Sequence, residues 1–213
     1  MPSRITQSFM TTRTLSDLNN QLSKLSILQN QMATGRRVNR PSDDPMDAQR
    51  AINIQTQITQ SEQYNSNINN ISPNFIQAES VLDTMIDIFQ RTLELTVAGA
   101  NETMGPAQLA QSAIEIDQLL EHVLLLGNTQ VSGRSIFAGT RTAQEPFVTT
   151  RDINNRITAV TYTGNTDSIE IQISETARID TTLPGSEIFQ NTVDMFNVLI
   201  GIRDDMEAGN QTS

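Results

Sequence analysis

The chain has no cysteine, no tryptophan and a single histidine among 213 residues. Without cysteine there is no disulfide framework, no thiolate metal site and no thiol nucleophile. A metal centre would have to come from carboxylates alone, and no ligand spacing surrounds the lone His122. Long apolar runs are missing too. None approaches the ~20 residues that cross a bilayer. The first residues, MPSRITQSFMTTRTLSDL, lack the continuous apolar stretch of a cleaved secretory signal. Basic charge is scarce: 14 Lys and Arg stand against 24 Asp and Glu, a net charge of −10. An acidic chain repels phosphate backbones, so nucleic acid is not an expected partner, and neither is a membrane. Apolar residues make up 37%, low for a globular domain, while Asn, Gln and Thr are abundant. That composition suits a thin, elongated protein with polar contacts between subunits.

The charge is uneven. Residues 1–50 hold seven basic and four acidic side chains; the rest hold seven and twenty. In the basic part, Leu15, Leu18, Leu22, Leu25 and Met32, with Leu28 beside them, recur every three or four residues. The spacing predicts a helix with a narrow leucine seam, started by a cap at Thr14 or Ser16. So narrow a seam fits a coiled coil better than a globular core, and such a helix is marginal without a partner. Gly35 is a natural stop. The stretch ATGRRVNRPSDDP then sets Arg36, Arg37, Asn39 and Arg40 against Asp43 and Asp44. Asp44 followed by Pro45 and Asp47 predicts a new helix from Pro45. The charges predict a salt-bridged elbow, within a chain or between subunits. A catalytic aspartate pair is the weaker reading, because capping already explains the carboxylates.

Residues 45–98 read as helix. Tyr64, Ile68, Ile71, Phe75, Ala78, Leu82, Met85 and Phe89 keep a 4–3 spacing, which predicts a rod seam. Pro73 lies inside it and predicts a kink or a restart capped by Ser72. GANETMGP is a turn, and a third helix over roughly 106–126 presents Leu109, Ala113, Ile116, Leu120 and Val123. A short turn between long helices predicts antiparallel neighbours. Beyond Gly127 the period changes to two: RITAVTYTG and SIEIQIS predict a small antiparallel β region within 129–190, with RDINNR as a hairpin loop. Gly133 and Gly139 read as tight turns, and Arg134, Ile136, Phe137 and Phe147 as the anchor of that region. Helix returns near Asn191 with Val193, Phe196, Leu199 and Ile200, and shows no clear finish. No nucleophile–base pair, phosphate loop or ligand cluster appears, so neither catalysis nor a cofactor is expected.

Four stretches carry a resemblance. MATGRRVNRPSDDP and ESVLDTMIDIFQRTLELTVAGAN are similar to segments of the flagellin family. NTQVSGRSIFAGTRTAQEPF (128–147) and ARIDTTLPGSEIFQN (177–191) resemble its hook–filament junction branch more than its filament subunits. The resemblance implies a mainly helical rod with a coiled-coil end and an outer β region. Its parts would be an assembly segment (1–34), a rod (35–128), the β region (129–190) and the start of a further rod helix (191–213), the family's C-terminal stretch running beyond Ser213. It implies a structural, non-enzymatic role in the extracellular flagellum, with export through the flagellar type III apparatus and no cleaved signal. The implied partners are another junction protein on the hook side, flagellin on the filament side, further copies in a ring, and an export chaperone. Two alternatives stand beside it: a filament subunit, or a coiled-coil binding module unrelated to flagella.

Overall fold

A seam of leucines needs a helix to carry it, and the helix is longer than the seam. α1 spans Ser3–Thr34 in the computed structural model, which describes residues 3–42, 44–100 and 104–209 and the side chains among them from residue 8 onward. The expected start near Leu15 is corrected. Thr14 lies inside α1, its hydroxyl donating to the Met10 carbonyl at 2.9 Å. No Gly or Pro stands between residues 3 and 34, so nothing halts the helix sooner. It ends at Gly35, whose φ of +66° is the left-handed conformation that stops helices.

α2 spans Pro45–Gly99 as one helix. Asp44 starts it: its Oδ1 accepts from the Asp47 N–H at 3.1 Å and its carbonyl from the Ala48 N–H at 2.9 Å. Pro73 neither ends nor restarts the helix. α3 spans Pro106–Gly127, with Gln108 reaching back to accept from the Gly105 N–H at 2.8 Å.

The β region consists of three separate antiparallel pairs. β1 (Gln130–Val131) pairs with β2 (Arg134–Ser135), β3 (Phe147–Arg151) with β4 (Ile157–Tyr162), and β5 (Glu170–Gln172) with β6 (Arg178–Asp180). RDINNR is the β3–β4 turn, tightened by Asp152, whose Oδ1 accepts from the N–H groups of Asn154 and Arg156 at 2.8 and 2.9 Å. α4 (Gly185–Phe189) and α5 (Met195–Ala208) complete the fold. Asp194 caps α5, accepting from the Asn197 N–H at 3.0 Å. α5 does have a finish: Gly209, at φ +69°, closes it. Val193, expected on its apolar face, is exposed just before it.

Two compact units divide the chain, Met1–Glu62 and Gln63–Ser213. In the second, α2, α3 and α5 enclose one apolar core. Arg91 of α2 meets Glu115 of α3, while Gly99 lies against Leu109, so these two helices run antiparallel as expected. The whole α3 seam is buried: Leu109, Ala113, Ile116, Leu120 and Val123.

The α2 seam needs a correction. Ile71, Ala78 and Met85 are buried, but Ile68 and Leu82 are 41% and 40% exposed, and Phe75 and Phe89 only partly covered. The buried line instead runs through Val81, Ile88, Thr92, Leu95 and Gly99. It is the same 4–3 period turned partly round the helix. Thr92 belongs on it because its hydroxyl is satisfied by the Ile88 carbonyl at 2.9 Å. Gly99 belongs because a β-carbon there would lie 3.1 Å from Met206.

At the β end of the core sits an aromatic cluster. Phe147 is its hub, with ring centroids 5.0 Å from Phe189, 5.0 Å from Phe196 and 5.3 Å from Tyr162; Phe137 meets Phe189 edge-on at 5.3 Å. Such spacings are those of favourable aromatic pairs.

Candidate functional site

The first candidate surface is the seam of α1. Leu15, Leu18, Leu22 and Leu25 are 52–57% exposed and Met32 is 85% exposed. An apolar stripe on a helix gains stability only when something covers it. Nothing in the chain as described covers this one.

The elbow follows directly. Arg37 Nη2 lies 3.3 Å from Asp44 Oδ2 and also pairs with Asp47, which reaches Arg50 at 3.6 Å. The Gln31 side chain donates to the Arg37 carbonyl at 2.8 Å, and the Thr34 hydroxyl lies 2.9 Å from Asn39 Oδ1. The turn is thus folded back onto the last turn of α1 around a cavity of about 310 Å³ that Asn39 and Arg40 help line. Arg36 gives only its backbone N–H to this arrangement, at 3.3 Å from the Thr34 hydroxyl. Asp43 lies outside the described residues. Of the charges singled out by sequence, Arg37 and Asp44 come together, and Asp47 joins them. These groups are solvent-accessible, so their pairing sets geometry more than it adds stability.

In the β region, Ile136, Phe137 and Phe147 are buried. Arg134, expected as part of that anchor, is instead exposed at the start of β2 and is not buried with them. The motif at 128–147 is closed by its own ends. Asn128 uses its side-chain amide as a backbone would, donating to the Phe147 carbonyl and accepting from the Phe147 N–H, both at 2.9 Å. The second motif docks on the first. Gly185 donates its N–H to the Phe137 carbonyl at 2.8 Å, and Phe189 enters the aromatic cluster.

Sequence reasoning missed the charged ties around this core. Arg203 of α5 is 2% exposed; it donates to Asp117 of α3 at 2.7 Å, to the Ile157 carbonyl of β4 at 2.8 Å and to Asp204 at 2.9 Å. Burial works against its charge, and the bonds to Asp117 and Asp204 more than offset it, so its pKa lies above the ordinary arginine value. Arg151 Nη2 donates to Glu121 Oε2 at 2.9 Å, and Arg156 Nη1 to Glu207 Oε1 at 2.6 Å. The available signal was positional: Arg203 falls three residues after Ile200, on the same helix face. His122 is exposed on α3. Among the described residues no group of His, Asp and Glu is gathered to hold a metal, and no helix is long and apolar enough to cross a membrane.

What remains is a folded unit and an amphipathic helix with its apolar face open. Residues 5–142 match the family described as the bacterial flagellin N-terminal helical region. The chain belongs to that family. The flagellar hook-associated protein 3 of Escherichia coli (strain K12) is 31% identical to it over 162 residues, 76% of this chain and 49% of that protein. The crystal structure of Bacillus cereus FlgL is similar with a TM-score of 0.61 at 26% identity, over 77% of this chain and 76% of that one. Flagellin FlaB1 of Treponema pallidum (strain Nichols) is 30% identical over a shorter stretch, 51% of this chain and 38% of that protein. The flagellin-family chain described here thus spans about half the length of the E. coli relative.

Proposed function

We propose that this chain is a structural junction subunit of the flagellum that joins hook to filament by packing, without catalysis. The observation that carries the proposal is the open leucine face of α1 in a chain that also holds a folded helical unit. A helix of that kind orders fully when neighbouring subunits cover it, so folding and assembly are coupled. The hook-associated relative supports the junction reading over the filament reading, because it matches more of this chain than the FlaB1 flagellin does.

In this reading residues 1–34 form the assembly segment, 35–128 the elbow and rod, 129–190 the outer β region, and 191–213 the start of a further rod helix. The Arg37–Asp44–Asp47 elbow sets the angle between assembly segment and rod. Arg36, which no internal carboxylate holds among the described residues, is left for a neighbouring subunit. The partners are a second junction protein toward the hook, flagellin toward the filament, further copies in a ring, and a chaperone before type III export.

Deletion of the gene tests the reading. Hooks without filaments, with unpolymerised flagellin in the medium, are the expected result. Hooks without filaments and with no flagellin released would make this chain the filament subunit. Normal filaments would rule out both roles in a cell with one copy of the gene.

A further inference from the structure

The β1–β2 turn carries a cation that the fold does not use. The Arg134 side chain is exposed and makes no hydrogen bond or ion pair among the described residues. It stands at a cleft of about 490 Å³ walled by α2, the β1–β2 turn and the β5–β6 hairpin, with Ile71, Ile136, Ile169 and Ile171 among its lining. An occupant that fits this chemistry is apolar in its body and anionic at one edge.

The same chain has such a surface. Glu79, Asp83 and Asp87 follow one another on α2 at four-residue intervals, which places them along one helix face. All three are exposed and unpaired among the described residues. Leu82 and Ile86, 40% and 55% exposed, stand between them. Beyond residue 50 the chain has twenty acidic side chains against seven basic ones, so a free arginine there faces a mostly negative neighbour.

We infer that the Arg134 cleft docks a second copy of this chain through the Glu79–Asp83–Asp87 face of that copy's α2. Leu82 and Ile86 lie against the cleft isoleucines, and a carboxylate pairs with Arg134. The burial of apolar surface holds the contact, while the ion pair fixes its register and partner. Because the two surfaces differ, the contact is heterologous and propagates round a ring or along a helix. The inference rests on the assembly reading above in needing adjacent copies.

The lack of native cysteine makes thiol crosslinking unambiguous. Two tagged copies, one Arg134→Cys and one Asp83→Cys, are expressed together, and isolated hook–filament complexes are oxidised. A disulfide-linked dimer that appears only when both copies are present is the expected result. Both variants present in the complexes without a dimer overturns the contact and leaves the junction reading standing. Absence of even the parent chain from the complexes overturns both. Charge exchange checks the chemistry separately. Arg134→Glu is expected to lose incorporation, and Glu79→Arg with Asp83→Arg in the same chain to restore it. Parental incorporation of Arg134→Glu, or a loss that the exchange does not restore, counts against the contact.

Discussion

Arg203 shows what one side chain does here. It is the one charged residue buried in the core among the described residues, and three elements meet on its guanidinium. Removing one partner of a buried ion pair leaves the other groups unsatisfied, which costs more than the pair is worth. Arg203→Ala is expected to cost about 3 kcal/mol, read as a lower denaturant midpoint with an unchanged slope. Asp117→Asn keeps a hydrogen-bonding oxygen and is expected to cost about 1 kcal/mol. Asp152 gives a pH signature. Bonds from the Arg156 and Asn154 backbones hold its carboxyl below the ordinary carboxylate range, with the Arg156 side chain helping. Folding therefore favours its ionised form. That stabilisation is complete above the unfolded pKa, about 3.9, and is lost as pH falls through the folded value. Thermal scans from pH 6 to pH 3 are expected to show a steeper loss for the parent than for Asp152→Asn. Equal slopes would mean that the β3–β4 turn does not select the carboxylate.

At the scale of elements, close packing and open surface call for opposite tests. A β-carbon on Gly127 would lie 2.8 Å from the Phe147 ring. Its backbone would accept any residue; the obstacle is space. Gly127→Ala is expected to cost about 1–3 kcal/mol through displacement of the aromatic hub, detectable as a lower melting temperature. On α1 the reverse holds. Leu22 and Leu25 are more than half exposed, so Leu22→Asn with Leu25→Asn is expected to shift the stability of the free chain by only about 0.5 kcal/mol. The same double variant is expected to be lost from purified hook–filament complexes, as quantified by immunoblot. Retention at the parental level would mean that the leucine face is not an assembly surface.

These elements were unequally legible. The α3 seam could be read from the sequence because Leu109, Ala113, Ile116, Leu120 and Val123 keep an unbroken 4–3 spacing, even though Ile114 and Leu125 stand off that line and are exposed. The α2 seam could not, because α2 has apolar residues around most of its circumference: Val81 and Ile88 on one side, Leu82 and Phe89 beside them. Which line faces inward is decided by α3 and α5, and the inner line uses Thr92 and Gly99, residues that look polar or small on paper. The α1 seam and the Asp44–Pro45 restart are local signals and needed no tertiary partner. Arg203 needed two, Asp117 and Ile157, each more than forty residues away, and local pattern carries no trace of them.

Over the whole molecule, cohesion belongs to the second unit, Gln63–Ser213, while α1 in the first relies on its own backbone bonds. An isolated helix without tertiary cover is only marginally stable in water. Hydrogen exchange of the free chain is expected to show α1 amides exchanging orders of magnitude faster than those around Ile116 and Leu120, which open only with the core. Uniform protection through both regions would mean that α1 already has a partner in the free chain. Burial of α1 in an assembly is then expected to appear as protection gained over residues 15–32, with little change in α3.

The place of α5 in the sequence has a consequence for timing. A chain made from its N-terminus has α2, α3 and every β pair in hand before Met195 appears. Yet Phe196, Leu199, Ile200, Arg203 and Met206 all come from α5. Until they arrive, Phe147 lacks one aromatic neighbour, Asp117 lacks its arginine and the inner faces of α2 and α3 lie partly bare. The latch is therefore delivered after every other part of this core, and the nascent core stays pliable until α5 is made.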